Sequence, residues 1–188
     1  MKKAGSYQMD EIKDAELELK RLGTQAQLMK PLEMKILKET GLLTDHKVLE
    51  IGWGPGFITS ILCEIANQGQ VYATDTDDKL LELCRKTVTN PPKNGFITVN
   101  NTLPESLNFL NSQIDYSYLR FVLQHVPDTE KLLNTISSTL KPGGIICVLD
   151  SDDGLVIQYP EDSFINSILS DAKKLQSEKG GDRFIGRK

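Results

Sequence analysis

Cysteine is scarce in this 188-residue chain, at three residues, and histidine is scarcer, at two. Cys63, Cys84 and Cys147 are odd in number, far apart and each set among apolar or helical neighbours, so they read as reduced core thiols and not as a disulfide framework. No cysteine or histidine spacing fits a metal-ligand set, and no bound metal is expected. Aromatic residues make up only 6% of the chain, with Trp53 the single tryptophan. No apolar run is long enough to cross a bilayer, and the opening Met1-Lys2-Lys3-Ala4-Gly5-Ser6 has nothing of a secretory signal, so a cytoplasmic protein with no membrane partner is expected. A basic excess is missing too: the net charge is −4, which argues against a nucleic-acid partner held through its phosphates. The local exception is the six-cation run Lys173, Lys174, Lys179, Arg183, Arg187 and Lys188, for which a solvated tail is expected.

What is present is an ordinary balance of 39% hydrophobic and 26% charged residues without repeats or low-complexity stretches. A chain of this length buries roughly 70% of its unfolded surface, enough for one core without staples. The first forty residues follow a helical period, with Ile12, Ala15, Leu19, Leu22, Ala26 and Met29 on one stripe. Gly23 and Pro31 predict a break into two or three pieces, the last closed by Gly41 in a left-handed conformation. From Lys47 the pattern changes to short apolar runs alternating with amphipathic stretches, which predicts β-α-β units and a parallel sheet covered on both faces. Strands are expected at Val48 to Ile51, Val71 to Thr74, Phe96 to Val99, Ile114 to Leu119 and Ile145 to Asp150. Helices are expected at Phe57 to Ala66, at Asp77 to Val88, and after an Asp128 cap with Leu132, Leu133, Ile136 and Leu140 inward. A last helix from about Pro160 should turn Phe164, Ile165, Ile168, Leu169, Ala172 and Leu175 inward. The division is then a helical segment over 1–43 and an α/β core over 44–188.

The richest local chemistry is Glu50-Ile51-Gly52-Trp53-Gly54-Pro55-Gly56, where a strand gives way to a helix at the ligand-binding edge of such a sheet. Alternate glycines allow a tight turn and close approach of the backbone to a ligand. A dinucleotide fingerprint needs a further glycine where Phe57 stands, and a P-loop needs a Gly-Lys-Ser/Thr that is missing. Glu50 at the mouth of the loop would repel a pyrophosphate and attract a cation, so a positively charged nucleoside without phosphate fits better than a nicotinamide dinucleotide. Asp75 lies nineteen residues past Gly56 at the end of the second strand, the place from which a carboxylate can accept from both ribose hydroxyls. Asp77 and Asp78 read instead as helix-start acids.

These segments, with Tyr72-Ala73-Thr74-Asp75, Ile114-Asp115-Tyr116-Ser117-Tyr118-Leu119-Arg120-Phe121-Val122-Leu123-Gln124-His125-Val126 and Leu140-Lys141-Pro142-Gly143-Gly144, resemble the class I S-adenosylmethionine-dependent methyltransferases in order and over nearly the whole chain. S-adenosylmethionine, with its ammonium, sulfonium and free ribose hydroxyls, meets the description of the cationic nucleoside. The resemblance implies a Rossmann-like doubly wound sheet of order 3-2-1-4-5. It also implies that Glu50, Gly52, Trp53 and Gly54 line the methionine part of the cofactor, that Gly56 belongs to the same cofactor-binding loop, that Asp75 holds the ribose, and that Thr76 and Asn101 flank the adenine. Asn101 stands where the family usually carries Asp, and can both donate and accept there. Leu119 at the end of the fourth strand and Gln25 in the segment Arg21-Leu22-Gly23-Thr24-Gln25-Ala26 complete the implied contacts.

The implied reaction is an in-line methyl transfer to a small-molecule acceptor, in which positioning does most of the work. His125 is the candidate acceptor-side group, with a structural hydrogen bond as its alternative role, and one of Asp150, Ser151, Asp152 and Asp153 is expected to face the acceptor. A cofactor-binding or regulatory subunit without independent turnover is the alternative function. The family's closing antiparallel hairpin has no counterpart after the last helix, so a truncated chain is expected. Its fifth strand would be an open apolar edge, covered by a second copy or a partner.

Overall fold

A computed structural model describes residues 14–75, 78–100 and 104–188 of the chain. Its elements run α1 (Ala15–Glu39), β1 (Lys47–Ile51), α2 (Phe57–Ile65), β2 (Gln70–Asp75), α3 (Asp78–Thr87), β3 (Phe96–Asn100), β4 (Ile114–Arg120), α4 (Thr129–Thr139), β5 (Leu140–Leu149) and α5 (Ser163–Glu178). The five strands form one parallel sheet in the order β3-β2-β1-β4-β5. Each inner strand is buried over nearly its whole length because both faces of a parallel sheet are covered. One face carries Val48, Tyr116, Tyr118 and Cys147 against α1, α2 and α3, with Leu37 and Leu62 buried at its centre. The other carries Leu49, Ile51, Tyr72 and Leu119 against Ile136 of α4 and the 3-10 turn Pro104–Leu110. All three cysteines are buried and free, and burial pushes the Cys63 and Cys84 thiols up to about 12, which keeps both protonated.

Three expectations need correction. First, α1 is one helix of 25 residues that passes through both Gly23 and Pro31. Gly23 is used for close approach: a Cβ there would stand 3.1 Å from the Phe57 ring, so the glycine lets α1 lie directly on the start of α2. Pro31 sits on the exposed face, where water can take the carbonyl it leaves without a donor, and fully buried Glu33 and Leu37 hold the helix beyond it. Ile12 of the expected stripe lies outside the described residues. Gly41 does take the left-handed position, at φ +96°, and closes the helix with Gly41 N–H to Lys38 and Leu42 N–H to Leu37.

Second, α5 starts at Ser163, because the Asp162 carboxylate accepts the Phe164 and Ile165 N–H groups at 2.8 and 3.1 Å. Its apolar stripe does not face the sheet: Phe164, Ile165, Ile168 and Leu175 are exposed. The helix is held instead by Gln176, whose Nε2 donates to the Gln124 carbonyl at 2.7 Å, so the side bearing Ala172 and Gln176 turns inward. Third, the basic run is not a free tail. Arg187 forms a two-pronged pair with Asp152 at 2.6 and 2.7 Å, Arg183 pairs with Asp153, and Lys188 with Asp182. The C-terminal segment folds back onto the end of β5 through Gly186 N–H to Ser151 and Asp153 N–H to Arg183.

The Lys141-Pro142-Gly143-Gly144 turn survives as an irregularity within β5, where Ile114 pairs with Leu140 and Tyr116 with Ile145. Beyond β5 no sixth strand is formed among the described residues. No helix among them is long and apolar enough to cross a membrane.

Candidate active site

The carboxyl ends of β1, β2 and β4 open into a cavity of about 690 Å³. The glycine loop makes one wall. Gly52, Gly54 and Gly56 all have positive φ, at +69°, +56° and +85°, which is why the sequence places glycine at alternate positions. The Gly52 N–H reaches back to Thr74 at 2.8 Å and the Gly54 N–H donates to the Asp75 carboxylate at 3.2 Å, so the loop is tied to β2 at two points. A Cβ at Gly54 would meet nothing within 4 Å, so that glycine exposes bare backbone to the cavity. Gly56 serves packing instead, since a Cβ there would stand 2.7 Å from the Cys84 sulfur and 2.9 Å from its Cα. This glycine seats α2 against α3 and does not line the cavity.

The sequence-predicted residues divide accordingly. Gln25, Glu50, Gly52, Trp53, Gly54, Asp75 and His125 line the cavity together. Leu119 is fully buried in the opposite layer and is not part of the wall. Thr76 and Asn101, with Asp77, lie outside the described residues. His46 sits at the far end of β1, where its Nδ1 accepts the Leu43 N–H.

Glu50 is buried, and desolvation, reinforced by Asp75 and Glu33, pushes its carboxyl up to about 8 against the opposing Thr59 hydrogen bond and the Arg120 charge. Its Oε2 has no partner. With no ligand cation beside it the group is therefore largely protonated at neutral pH, and a cationic ligand placed against it would draw the proton off. A cationic ligand is expected to bind with an affinity that climbs about tenfold per pH unit up to pH 8 and then levels. Calorimetry in buffers of different ionisation enthalpy reads the released proton. An affinity that is flat from pH 6 to 8 would place the ligand's charge elsewhere.

At the other end of the cavity, burial, helped by the Arg183 charge, pushes the His125 imidazole down to about 4, so it is neutral at pH 7, with Nδ1 3.4 Å from Gln176 Nε2. Of the acidic cluster only Ser151 faces the cavity, its Oγ donating to Gln124 Oε1. Asp150 instead accepts the Gln124 N–H and its neighbours' backbone donors, while Asp152 and Asp153 hold the C-terminal arginines.

Sequence reasoning missed Glu33. It is fully buried on α1 and accepts both the Tyr118 hydroxyl and the Arg120 guanidinium, which joins α1 to the end of β4 across the cavity wall. Nothing in a periodicity pattern separates such a glutamate from a solvated one. Arg183 at the cavity margin was missed in the same way.

Comparison with known proteins identifies the family to which this fold belongs. A protein from Francisella philomiragia named as a ubiquinone/menaquinone biosynthesis C-methyltransferase UbiE is 30% identical over 121 residues, 64% of this chain and 48% of that protein. The chain thus spans about half the length of the curated relatives it matches. A solved S-adenosylmethionine-dependent methyltransferase from Thermotoga maritima superposes with a TM-score of 0.60 at 21% identity, covering 89% of this chain and 69% of that one. A Haemonchus contortus phosphoethanolamine N-methyltransferase 2, solved with phosphomonomethylethanolamine and S-adenosylhomocysteine, gives 0.57 at 23% identity, covering 80% of this chain and 37% of that one. The methyltransferase domain model matches residues 49–148, from β1 to β5 and more than half of the chain. The chain belongs to the methyltransferase domain family.

Proposed function

We propose that the cavity binds S-adenosylmethionine and that the chain transfers its methyl group to a small-molecule acceptor. The observation that carries this reading is the meeting, in one cavity, of a buried carboxyl with an unpartnered oxygen, a glycine loop with bare backbone at Gly54, and the Asp75 carboxylate. Glu50 would face the cationic methionine end, Gly52 and Gly54 would pass the chain of the ligand close to the backbone, and Asp75 would take the ribose hydroxyls. Gln25, and on the resemblance Thr76 and Asn101, would complete the nucleoside side. When bound, the cofactor supplies an electrophilic methyl carried on a sulfonium. The residues then have to exclude water and align the acceptor, and α1 covers the cavity with Arg21, Leu22, Gln25 and Ala26.

The depressed basicity of His125 bears on its role. A base near 4 is a poor match for the proton of an acceptor that titrates well above neutrality, so the neutral imidazole serves better as a hydrogen-bonding group beside the acceptor than as a general base. The relatives' printed activity, C-methylation in quinone biosynthesis, is one instance of a small acceptor of this kind. A second reading, a cofactor-binding subunit that turns over only with a partner, is favoured by the exposed apolar residues Leu155, Val156, Ile157, Phe164 and Ile168 after β5. Binding of cofactor with no methylation of any small molecule would decide for it.

Replacing Asp75 with Ala is expected to weaken S-adenosylmethionine by about 1.5–3 kcal/mol, the range for hydrogen bonds to a charged group. Asp75 also accepts the Gly54 N–H, so Asp75→Asn, which keeps an acceptor for the loop, separates the two roles. Calorimetric affinities of the two variants equal to that of the parent would remove Asp75 from the ribose site. A parent chain that binds no S-adenosylmethionine would remove the proposal itself.

A further inference from the structure

Charge is separated along the cavity. Glu50 and Asp75 line the end made by β1 and β2, whereas the end made by the turn Leu123–His125, the start of α4 and Ser151 carries Arg183 and Lys131. The acid lining that second end, Asp128, is engaged as the α4 cap and accepts the Lys131 N–H at 2.9 Å. Arg21 and Arg120, elsewhere in the wall, are paired with Glu18 and Glu33. A cationic ligand is therefore drawn to one end and an anionic one to the other.

Arg183 is a fixed part of this wall. The segment that carries it lies against the Leu123–His125 turn, with the Asp182 N–H donating to the Gln124 carbonyl at 2.8 Å and the Gly181 N–H to the Gln176 carbonyl at 2.9 Å. A Cβ at Gly181 would stand 2.5 Å from the Gln124 oxygen, so this approach requires the glycine. Two of the guanidinium nitrogens are committed to buried partners, Nε to Asp153 and Nη1 to Gln176 Oε1 at 3.0 Å. Together they fix the plane of the fork, and Nη2 has no partner among the described residues.

Gln176 also sets the state of the neighbouring histidine. With Oε1 taken by Arg183, its Nε2 is the atom that lies 3.4 Å from His125 Nδ1, so Nδ1 accepts and the proton of the neutral imidazole sits on Nε2. A donating imidazole beside a fixed arginine suits an oxygen that already carries negative charge. An acceptor that arrives as an anion has no need of the general base that this end of the cavity lacks.

We propose, resting on the reading of the cavity given above, that Arg183 selects the methyl acceptor by binding an anionic oxygen on it, so that the acceptor is an acid taken in its ionised form. Two sources share this chemistry, a carboxylate on the acceptor and its own ionised hydroxyl.

Two matched pairs of probes separate them: benzoate against benzamide, and 4-nitrophenolate against 4-nitroanisole, each titrated calorimetrically into the chain saturated with S-adenosylhomocysteine. The anion of at least one pair is expected to bind about fivefold or more tighter than its neutral partner, as a charge-assisted hydrogen bond at a partly exposed arginine requires. A preference in the first pair alone assigns a carboxylate, in the second alone an ionised hydroxyl, and in both an oxygen anion of either kind. The double variant Asp153→Asn/Arg183→Gln, which removes both charges so that neither is stranded, is expected to erase the preference, with S-adenosylhomocysteine binding as the control for folding. Asp153→Asn alone keeps an acceptor for Arg183 Nε and removes the counter-charge, so it is expected to raise the preference several-fold; this opposite sign keeps the subsite testable should the double variant not fold. No preference for either anion in the parent, or no binding of any probe at millimolar concentration, overturns the proposal and leaves the cofactor assignment intact. A preference that survives in the double variant, or that Asp153→Asn leaves unchanged, places the anion away from Arg183 and overturns it too. A parent that does not bind S-adenosylhomocysteine overturns both readings.

Discussion

Glu33→Ala is expected to cost the fold about 3–5 kcal/mol, the range for breaking a buried ion pair by removing one partner. The urea midpoint, at constant m-value, is the measurement. Glu33 is fully buried and Arg120 nearly so, so the substitution strands a guanidinium and the Tyr118 hydroxyl in the space between α1 and β4. The Arg21–Glu18 pair one turn apart on the same helix is the internal comparison, because Arg21 is half exposed and such pairs are worth about 0–1 kcal/mol. A Glu33→Ala midpoint as little changed as that of Glu18→Ala would mean that water reaches the Arg120 site and that α1 is not anchored there.

Gly56→Ala should be nearly as severe, for a different reason. The left-handed backbone costs an L-residue about 1–2 kcal/mol. The added methyl would meet the Cys84 sulfur at 2.7 Å and its Cα at 2.9 Å, and overpacking of this kind adds about 1–3 kcal/mol, since a backbone atom cannot step aside as a side-chain tip can. Gly54→Ala has the same backbone cost and no clash. The pair should therefore split by readout: thermal unfolding reports Gly56→Ala more strongly, and cofactor affinity reports Gly54→Ala more strongly, because its methyl projects into the cavity. Equal losses of stability in the two variants would contradict the seating role of Gly56.

The contrast between those two glycines also shows how far the sequence could be read. Strand positions were legible to within a residue or so at β1, β2, β3 and β4, because a strand covered on both faces is mostly apolar and short runs such as Val48–Ile51 and Val71–Thr74 stand out between amphipathic stretches. The glycine loop and Asp75 were legible because backbone conformation and strand-end position are local facts. Gly23 and Pro31 misled because helix breakers act locally, while the burial of Glu33 and Leu37 is settled by the whole layer. The stripe of α5 misled in the opposite way: an amphipathic pattern says which side would gain from being covered, not that a cover exists, and Phe164 and Ile168 stay exposed. The pairs of Asp153 with Arg183 and of Asp152 with Arg187 join residues 30 and 35 apart, a separation at which charge pattern carries no pairing information.

The placement of Glu33 along α1 has a kinetic consequence. The anchor stands eight residues beyond Gln25, about 12 Å at 1.5 Å per residue, and between the two the helix is also held on α2 by buried Ala26 and by the Lys30–Glu64 pair. The half that covers the cavity rests on α2 where Gly23 meets the Phe57 ring. A ligand entering or leaving past Arg21 and Gln25 has to lift this contact and leave the anchor in place. Gly23→Ala, whose methyl would press on the Phe57 ring, is then expected to speed ligand dissociation more than it changes the polar contacts of the cavity, and stopped-flow release measures it.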